Sequence, residues 1–216
     1  MPYPLNDSIL DAYMKKTVGY FTFGGEVAWL TGEANDFTGN GVADKMNAVG
    51  LSANLIYEYH RFKGFLDLVY ASGDNDLTGD HMNGFVLLHR NRSPGLILGR
   101  ELLGSYLASP IGMGSHLVYG NDGAFSGVWY LRPGARFDWT PSLSSGAELI
   151  LSNKAAPQAG EPGFLGVELD LGTEYAVYKN FDVGVNLGFL FPGAGLAGTA
   201  NTQSAFAIQT VASVKF

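Results

Sequence analysis

The chain has 216 residues, enough for one domain with a sizeable core, and 46% of them are hydrophobic while only 15% are charged. This charged fraction lies well below the roughly 25% of soluble domains and indicates an unusually uncharged surface. The net charge of −7 disfavours a nucleic-acid partner, and the absence of cysteine excludes disulfides, thiolate metal sites and cysteine nucleophiles. No apolar run approaches the roughly 18 residues that a membrane-spanning helix needs.

The first predicted strand covers residues 17–31, with Phe21, Phe23, Val27 and Trp29 on one face. Before it, residues 1–16 are assigned to a lead-in. The opening MPYPLNDSILD has neither the basic nor the apolar region of a signal peptide, so either a signal was removed or the chain never had one.

Two strands with strict alternation follow, at residues 48–60 and 64–70, separated by a short turn near Arg61. The next two, at residues 125–139 and 143–153, alternate less cleanly. Pro133 lies inside one of them and cannot donate a ladder hydrogen bond, so a bulge or a strand start is expected nearby.

The last three predicted strands, at residues 164–178, 181–191 and 204–216, alternate most clearly. In residues 164–178, the apolar side chains of Leu165, Val167, Leu169 and Leu171 alternate with small or acidic residues. Strand periodicity over most of the chain predicts about eight strands in total.

The connections between these strands also follow a pattern. Those near Arg61, Pro141 and Lys179 are short, whereas residues 33–45, 73–124, 154–163 and 192–203 form long connections rich in Gly, Asn, Asp and Pro. Short and long connections alternate along the chain. This is typical of outer-membrane barrels, which have short periplasmic turns and longer external loops.

A soluble β-sandwich or lipocalin-like barrel also alternates apolar and polar residues. The loop asymmetry and the many Gly and Ala residues on the polar face favour a membrane barrel instead. Aromatic residues near strand ends match an interfacial girdle: Tyr57, Tyr59, Trp139, Tyr175, Tyr178, Phe181 and Phe216. We therefore predict a single all-β domain over residues 1–216, a transmembrane antiparallel β-barrel of meander topology with both termini on the periplasmic side.

The final segment, SAFAIQTVASVKF, resembles the C-terminal signature of bacterial outer-membrane β-barrels. The signature consists of the terminal aromatic Phe216 with Val214 and Ala212 at the alternate positions before it. The resemblance implies that the last strand is recognised by the barrel-assembly machinery and pairs with the first strand. It also implies a location in the outer membrane of a Gram-negative bacterium, in contact with the lipid bilayer and lipopolysaccharide.

Residues 73–104, GDNDLTGDHMNGFVLLHRNRSPGLILGRELLG, resemble the long inserted loops of porin-like large barrels of the alginate-export type. The early segment DAYMKKTVGYFTFGGEVAWLTGEA similarly resembles an internal strand of that family. The resemblance implies a C-terminal half of a barrel of about sixteen strands, or a chain that pairs with another barrel segment or protomer. A closed eight-stranded barrel, filled by its own side chains, remains the alternative.

Charged residues on the inward face are the most informative candidates for a functional site. They are Glu58, Asp67, Arg132, Arg136, Glu148, Glu168, Asp170 and Glu174. In a wide barrel they line water and set ion preference, whereas in a closed barrel they form an internal salt-bridge network.

The long connection at residues 73–124 is either external or folded into the lumen. It contains Arg90, Arg92 and Arg100, together with His81 and His89. Folded inward, these residues form a basic constriction for an anionic solute; folded outward, they are solvated. Its segment DNDLTGD starts like a calcium loop, but Phe85 stands where the bidentate Glu belongs, so neither a metal nor another cofactor is predicted.

Passive transport of small polar solutes is the function that these features favour. The alternative is a closed structural or adhesive barrel whose long loops bind surfaces or partners. Catalysis is not predicted, because the sequence has no nucleophile elbow and none of its four histidines adjoins a serine on the predicted outer wall.

Overall fold

A computed structural model describes residues 6–33, 43–74, 81–85, 95–98, 127–197 and 203–215. These residues form an all-β antiparallel meander of nine strands, to which the two-residue strand β5 adds in parallel beside β3. The strands are β1 Asn6–Val18, β2 Phe21–Glu33, β3 Lys45–Tyr59, β4 Phe62–Ala71, β5 His81–Met82, β6 Val128–Thr140, β7 Leu143–Lys154, β8 Phe164–Tyr178, β9 Phe181–Pro192 and β10 Ala205–Val214. A single helical turn, α1, covers Ala194–Ala197.

The predicted alternation of short and long connections is confirmed. Tight turns at residues 19–20, 60–61, 141–142 and 179–180 lie at one rim of the sheet, which we call the turn rim. The long connections at residues 34–44, 72–127, 155–163 and 193–204 all leave from the opposite rim, the loop rim. The meander topology follows directly, because each strand pairs with its sequence neighbours along this path.

The strand count differs from the prediction of about eight. Residues 6–18, which include most of the predicted lead-in, form the ninth strand, β1. This strand pairs with β2 along its whole length, from Asn6 opposite Glu33 to Val18 opposite Phe21.

The two edge strands run in the same direction. β1 starts at the loop rim, where Asn6 pairs with Glu33, and ends at the turn rim. β10 likewise starts at the loop rim and ends beside Asn180, whose carbonyl accepts a hydrogen bond from the Lys215 N–H. The start of β1 and the end of β10 therefore lie at opposite rims, while residues 1–5 and Phe216, which the expectation about the chain ends concerned, lie outside the described residues. Within the described residues the sheet is not closed.

The bulge expected near Pro133 is not found there. The ladder between β6 and β7 skips Arg132 and Pro133 but resumes in the same register, since Leu131 pairs with Leu151 and Gly134 with Glu148. The register of this pair shifts instead near the turn rim, between Asp138 and Thr140.

The two faces of the sheet differ in chemistry. The apolar face carries large exposed side chains such as Val185 (46% exposed) and Ile208 (63% exposed). The polar face carries Glu148 and Asp170, which pair across β7 and β8. Leu165 departs from its predicted place on the apolar face: a bulge at Ser152 and Asn153 shifts the register of β8, and Leu165 is buried.

Aromatic side chains gather at both rims of the sheet. At the turn rim, the ring centroids of Phe21 and Tyr57 lie 5.0 Å apart, and β3 ends at Tyr59. Near the loop rim, the rings of Phe189 and Phe206 lie 4.9 Å apart. Among the described residues, no helix is long and apolar enough to cross a membrane.

Candidate functional site

A row of charged side chains crosses the polar face of four neighbouring strands. Residues in direct register point to the same face of a sheet, and the register places Asp67 of β4 opposite Arg132 of β6 and Glu148 of β7 opposite Asp170 of β8. Glu168 lies two residues before Asp170 and therefore shares its face. We call these five residues the charged row.

Arg132 binds Asp67 through two of its nitrogens. Its Nη2 and Nε lie 2.7 and 3.1 Å from the same oxygen, Asp67 Oδ2. The Nε also lies 4.0 Å from Glu148 Oε2, and the guanidinium is 5.9 Å from the ring centroid of Phe65. The side chains of Arg132 and Asp67 are 18% and 20% exposed. This is a charge-assisted pair that retains limited contact with water.

A short segment from the long connection after β4 lies against the other end of the charged row. We call residues 95–98 the docked turn. Three consecutive backbone N–H groups of this turn donate to carboxylates of β8. Leu96 donates to Asp170 Oδ2 at 2.8 Å, Ile97 to Glu168 Oε1 at 2.5 Å, and Leu98 to Glu168 Oε2 at 2.7 Å. Glu168 is completely buried.

The docked turn also adds apolar side chains to the polar face. Ile97 and Leu98 are buried and join the hydrophobic core of the described residues. The other buried members of this core are Val69, Ala71, Val128, Tyr130, Ile150, Leu165 and Leu190. The turn is therefore held by apolar packing as well as by hydrogen bonds.

Two glycines permit this close approach. Gly95 has a φ of 83°, a conformation that favours glycine, and a Cβ there would lie 2.7 Å from Glu168 Oε2. On the neighbouring strand β9, a Cβ at Gly188 would lie 3.2 Å from side-chain atoms of both Leu96 and Ile97. Side chains at either position would disturb the contact.

Ion pairs cluster nearer the turn rim of the polar face. Arg136 Nη1 lies 3.1 Å from Glu174 Oε2, and its Nε lies 3.4 Å from Asp138 Oδ1. Lys215 Nζ lies 2.7 Å from Asp182 Oδ2, and this hydrogen bond raises the pKa of Lys215 above its ordinary value. These side chains, apart from Asp182, are close to half exposed or more.

A cavity of about 720 Å³ lies between the docked turn and these ion pairs. Its lining includes the carboxylates of Glu148, Asp170, Glu174 and Asp182 together with the guanidinium of Arg136. Acidic side chains therefore outnumber basic ones in the lining of this cavity.

The loop rim contains one further pair. Lys154, the last residue of β7, donates from its Nζ to Glu161 Oε1. This hydrogen bond lowers the pKa of the Glu161 carboxyl below its ordinary value of 4.5, and a weaker contribution in the same direction comes from the Gln158 N–H.

The structure brings together most of the charged residues that alternation predicted on the inward face. Asp67, Arg132, Glu148, Glu168 and Asp170 form the charged row, and Arg136 and Glu174 pair with each other. Glu58 lies apart, at the turn-rim end of β3, where its carboxylate pairs with Lys63 at 2.8 Å.

Other predicted residues fall elsewhere. Arg90, Arg92, Arg100 and Phe216 lie outside the described residues. Val214 and Ala212 lie in β10, opposite Phe181 and Val183 of β9. His81 begins β5, and the described part of the chain contains no cluster of three or more side chains suited to a metal ion.

Sequence reasoning did not name Asp182 among the site residues. It left open whether the connection at residues 73–124 folds inward and did not single out the docked turn. Asp182 could have been found, because the alternation of β9 places it on the same face as Gly184 and Asn186. The docked turn had no comparable signal in the sequence, since its contacts to Glu168 and Asp170 are made by backbone N–H groups.

Comparison with known proteins shows a likeness in structure only. No protein-family model and no curated protein matches the sequence. Among solved structures, the crystal structure of Pseudomonas aeruginosa OccK2 (OpdF) is similar, with 14% sequence identity and a TM-score of 0.47. The match covers 97% of this chain and 50% of that chain, so the chain spans about half the length of OccK2.

Proposed function

We propose that the chain forms the wall of a porin-like channel in the bacterial outer membrane, through which small polar solutes diffuse passively. The observation that carries this proposal is the contrast between the two faces of one antiparallel meander. The apolar face takes the side toward lipid, and the polar face, with the charged row, takes the side toward a water-filled lumen.

The apolar face supports contact with lipid. Large side chains on it are exposed on strand after strand, including Leu68, Leu149, Leu171 and Val185. A contiguous apolar surface of this extent is unfavourable in water and is typical of a membrane or protein contact. The aromatic residues at both rims match the interfacial girdles of outer-membrane barrels.

The polar face supports passage of solutes with a preference for cations. Within the described residues, the charged row combines one guanidinium with four carboxylates, and the adjoining cavity is lined by more acids than bases. Rings or walls of carboxylates raise the local concentration of cations and lower that of anions.

Conductance in planar lipid bilayers tests the proposal. We expect the purified, refolded chain to give stable and reproducible conductance steps, and a potassium chloride gradient to give a reversal potential of cation-preferring sign. Glu174→Gln should weaken this preference and Arg136→Gln should strengthen it, because both side chains border the cavity. Equal reversal potentials for both variants would contradict the assignment of the polar face to the lumen.

The second candidate function is a closed structural or adhesive barrel whose long loops bind surfaces or partners. The docked turn favours it, because this turn adds buried apolar side chains to the polar face. A folded, heat-modifiable protein that gives no conductance would support this candidate against the channel.

The proposal places the chain in the outer membrane of a Gram-negative bacterium, inserted by the barrel-assembly machinery and surrounded by lipid and lipopolysaccharide. The turn rim faces the periplasm, because short connections lie on that side of outer-membrane barrels. Another barrel segment or protomer completes the wall. The function is passage without catalysis.

A further inference from the structure

We propose that Glu168 and Asp170 are positioning residues that hold the docked turn on the polar face and thereby set the free cross-section of the lumen. The role in the lumen rests on the proposed channel function. The positioning itself rests only on contacts between described residues.

The hydrogen-bond pattern specifies the position of the turn. Two carboxylates on alternate residues of one strand receive three successive backbone N–H groups, each at 2.8 Å or less. Glu168 uses both of its oxygens, so its contact with Ile97 and Leu98 is bidentate. A buried carboxyl group depends on such hydrogen bonds in place of water.

The turn is shaped for this contact. The backbone conformation at Gly95 favours glycine, and the space that a Cβ would need there is taken by the Glu168 carboxylate. Gly188 leaves room on the neighbouring strand for Leu96 and Ile97. Glycines on both sides of the contact indicate a specific docked position rather than loose apolar collapse.

The turn narrows the region next to the cavity. Gly95 and Leu96 line the cavity together with Glu148 and Asp170 of the charged row. Release of the turn from Glu168 and Asp170 would therefore join its volume to the cavity and widen the passage.

The two carboxylates contribute unequally to holding the docked turn, so their variants should release it to different extents. Glu168→Gln retains one acceptor oxygen and turns an amide NH₂ toward the second backbone N–H, so one buried donor loses its partner. Asp170→Asn retains one oxygen for its single donor, Leu96 N–H. Glu168→Gln should therefore release the turn more than Asp170→Asn does.

Thiol labelling measures the release. The chain has no cysteine, so Ile97→Cys introduces a single thiol at a position that is 5% exposed. In this background, Glu168→Gln should raise the labelling rate by a charged thiol reagent about tenfold or more, because a buried N–H left without an acceptor shifts an equilibrium by about that factor. Asp170→Asn should give a smaller rise.

Glu174→Gln is the matched control. It removes an inward carboxylate of the same strand that pairs with Arg136, and it should leave the labelling rate of the introduced thiol unchanged. Gly95→Ala is a second route to release that leaves every strand residue in place, and it should also raise the rate. Heat-modifiability on gels checks that each variant is folded.

Unit conductance of the same variants completes the test. Glu168→Gln and Gly95→Ala should give larger steps than the parent chain, and Glu174→Gln should not. Unchanged labelling in folded Glu168→Gln and Gly95→Ala would overturn the positioning role. Increased labelling in a chain that never conducts would instead overturn the channel function and leave the positioning role intact.

Discussion

The guanidinium of Arg132 binds Asp67 and has a second carboxylate, Glu148, at 4.0 Å. Arg132→Ala should lower the free energy of unfolding by about 2 kcal/mol, less than the roughly 3–5 kcal/mol of a fully buried pair, because both partners keep some contact with water. Urea unfolding of the protein in lipid vesicles measures this loss.

Arg136→Ala provides the matched control for Arg132. Arg136 also pairs with a carboxylate, Glu174, but both side chains are 48% exposed. Exposed pairs contribute only about 0–1 kcal/mol, so this variant should stay close to the parent chain. A loss as large as that of Arg132→Ala would show that burial of the charged row is unimportant for stability.

The lowered pKa of Glu161 predicts that the folded chain loses stability in acid. Its pKa is lowered by the hydrogen bond from Lys154, so the folded chain binds this proton less tightly than the unfolded chain does. The stabilisation is therefore complete above the ordinary pKa of 4.5 and is lost as the pH falls through the lower, folded value. The stability advantage of the parent chain over Glu161→Gln should shrink over this range in urea titrations at several pH values. A stability advantage that does not change with pH would contradict the contribution assigned to Glu161.

Charged side chains on the polar face could be predicted from the sequence because alternation fixes the face of each residue in a regular strand. Glu148, Glu168 and Asp170 were found in this way. The partner of Glu168 could not be predicted, because it is the backbone of residues 97 and 98, which are 71 and 70 residues away along the chain. Backbone donors are the same in every residue type except proline and leave no pattern in a sequence.

At the scale of the element, β8 shows how a bulge hides a core residue. Ser152 pairs with Gly166 but Asn153 pairs with Phe164, so Leu165 is the extra residue and turns into the core. Gly166 has a φ of 144°, within the region that favours glycine. Two-residue periodicity places side chains correctly only along an unbroken pleat, so it predicted Leu165 on the wrong face.

β1 was missed for a different reason. Adjacent apolar residues, Ile9 and Leu10, and adjacent basic residues, Lys15 and Lys16, break the alternation that identifies a half-buried strand. All of these side chains are exposed at the edge of the described sheet, so β1 forms through its ladder with β2 rather than through burial. The alternation of apolar and polar residues is weak in such a strand and does not identify it.

Neighbouring residues of β9 test the two faces. Val185 lies on the apolar face and is 46% exposed, whereas Asn186 lies on the polar face and donates to Gln209. Val185→Arg should destabilise the folded chain in vesicles by roughly 2–4 kcal/mol if this position faces the middle of the bilayer. Asn186→Arg should cost only about 1 kcal/mol, the contribution of one ordinary hydrogen bond. Equal costs in urea unfolding would contradict the assignment of the faces.

At the scale of the whole molecule, the all-β meander and the two rims were predictable because they depend on strand periodicity and on the lengths of connections. The polar and apolar faces also followed from alternation. The additional strand, β1, lay in the predicted lead-in and was not identified, because its alternation is weak.

The common direction of β1 and β10 restricts the number of strands in any closed barrel that contains them. In an antiparallel meander, the direction reverses at each strand, so a path of nine strands begins and ends in the same direction. Bringing β1 and β10 of one sheet together would create a parallel seam with slanted, slightly weaker hydrogen bonds. A second copy inserted in the same orientation would create two such seams. An odd number of further strands, running the opposite way at both edges, would make every seam antiparallel and the total even, as in bacterial outer-membrane barrels.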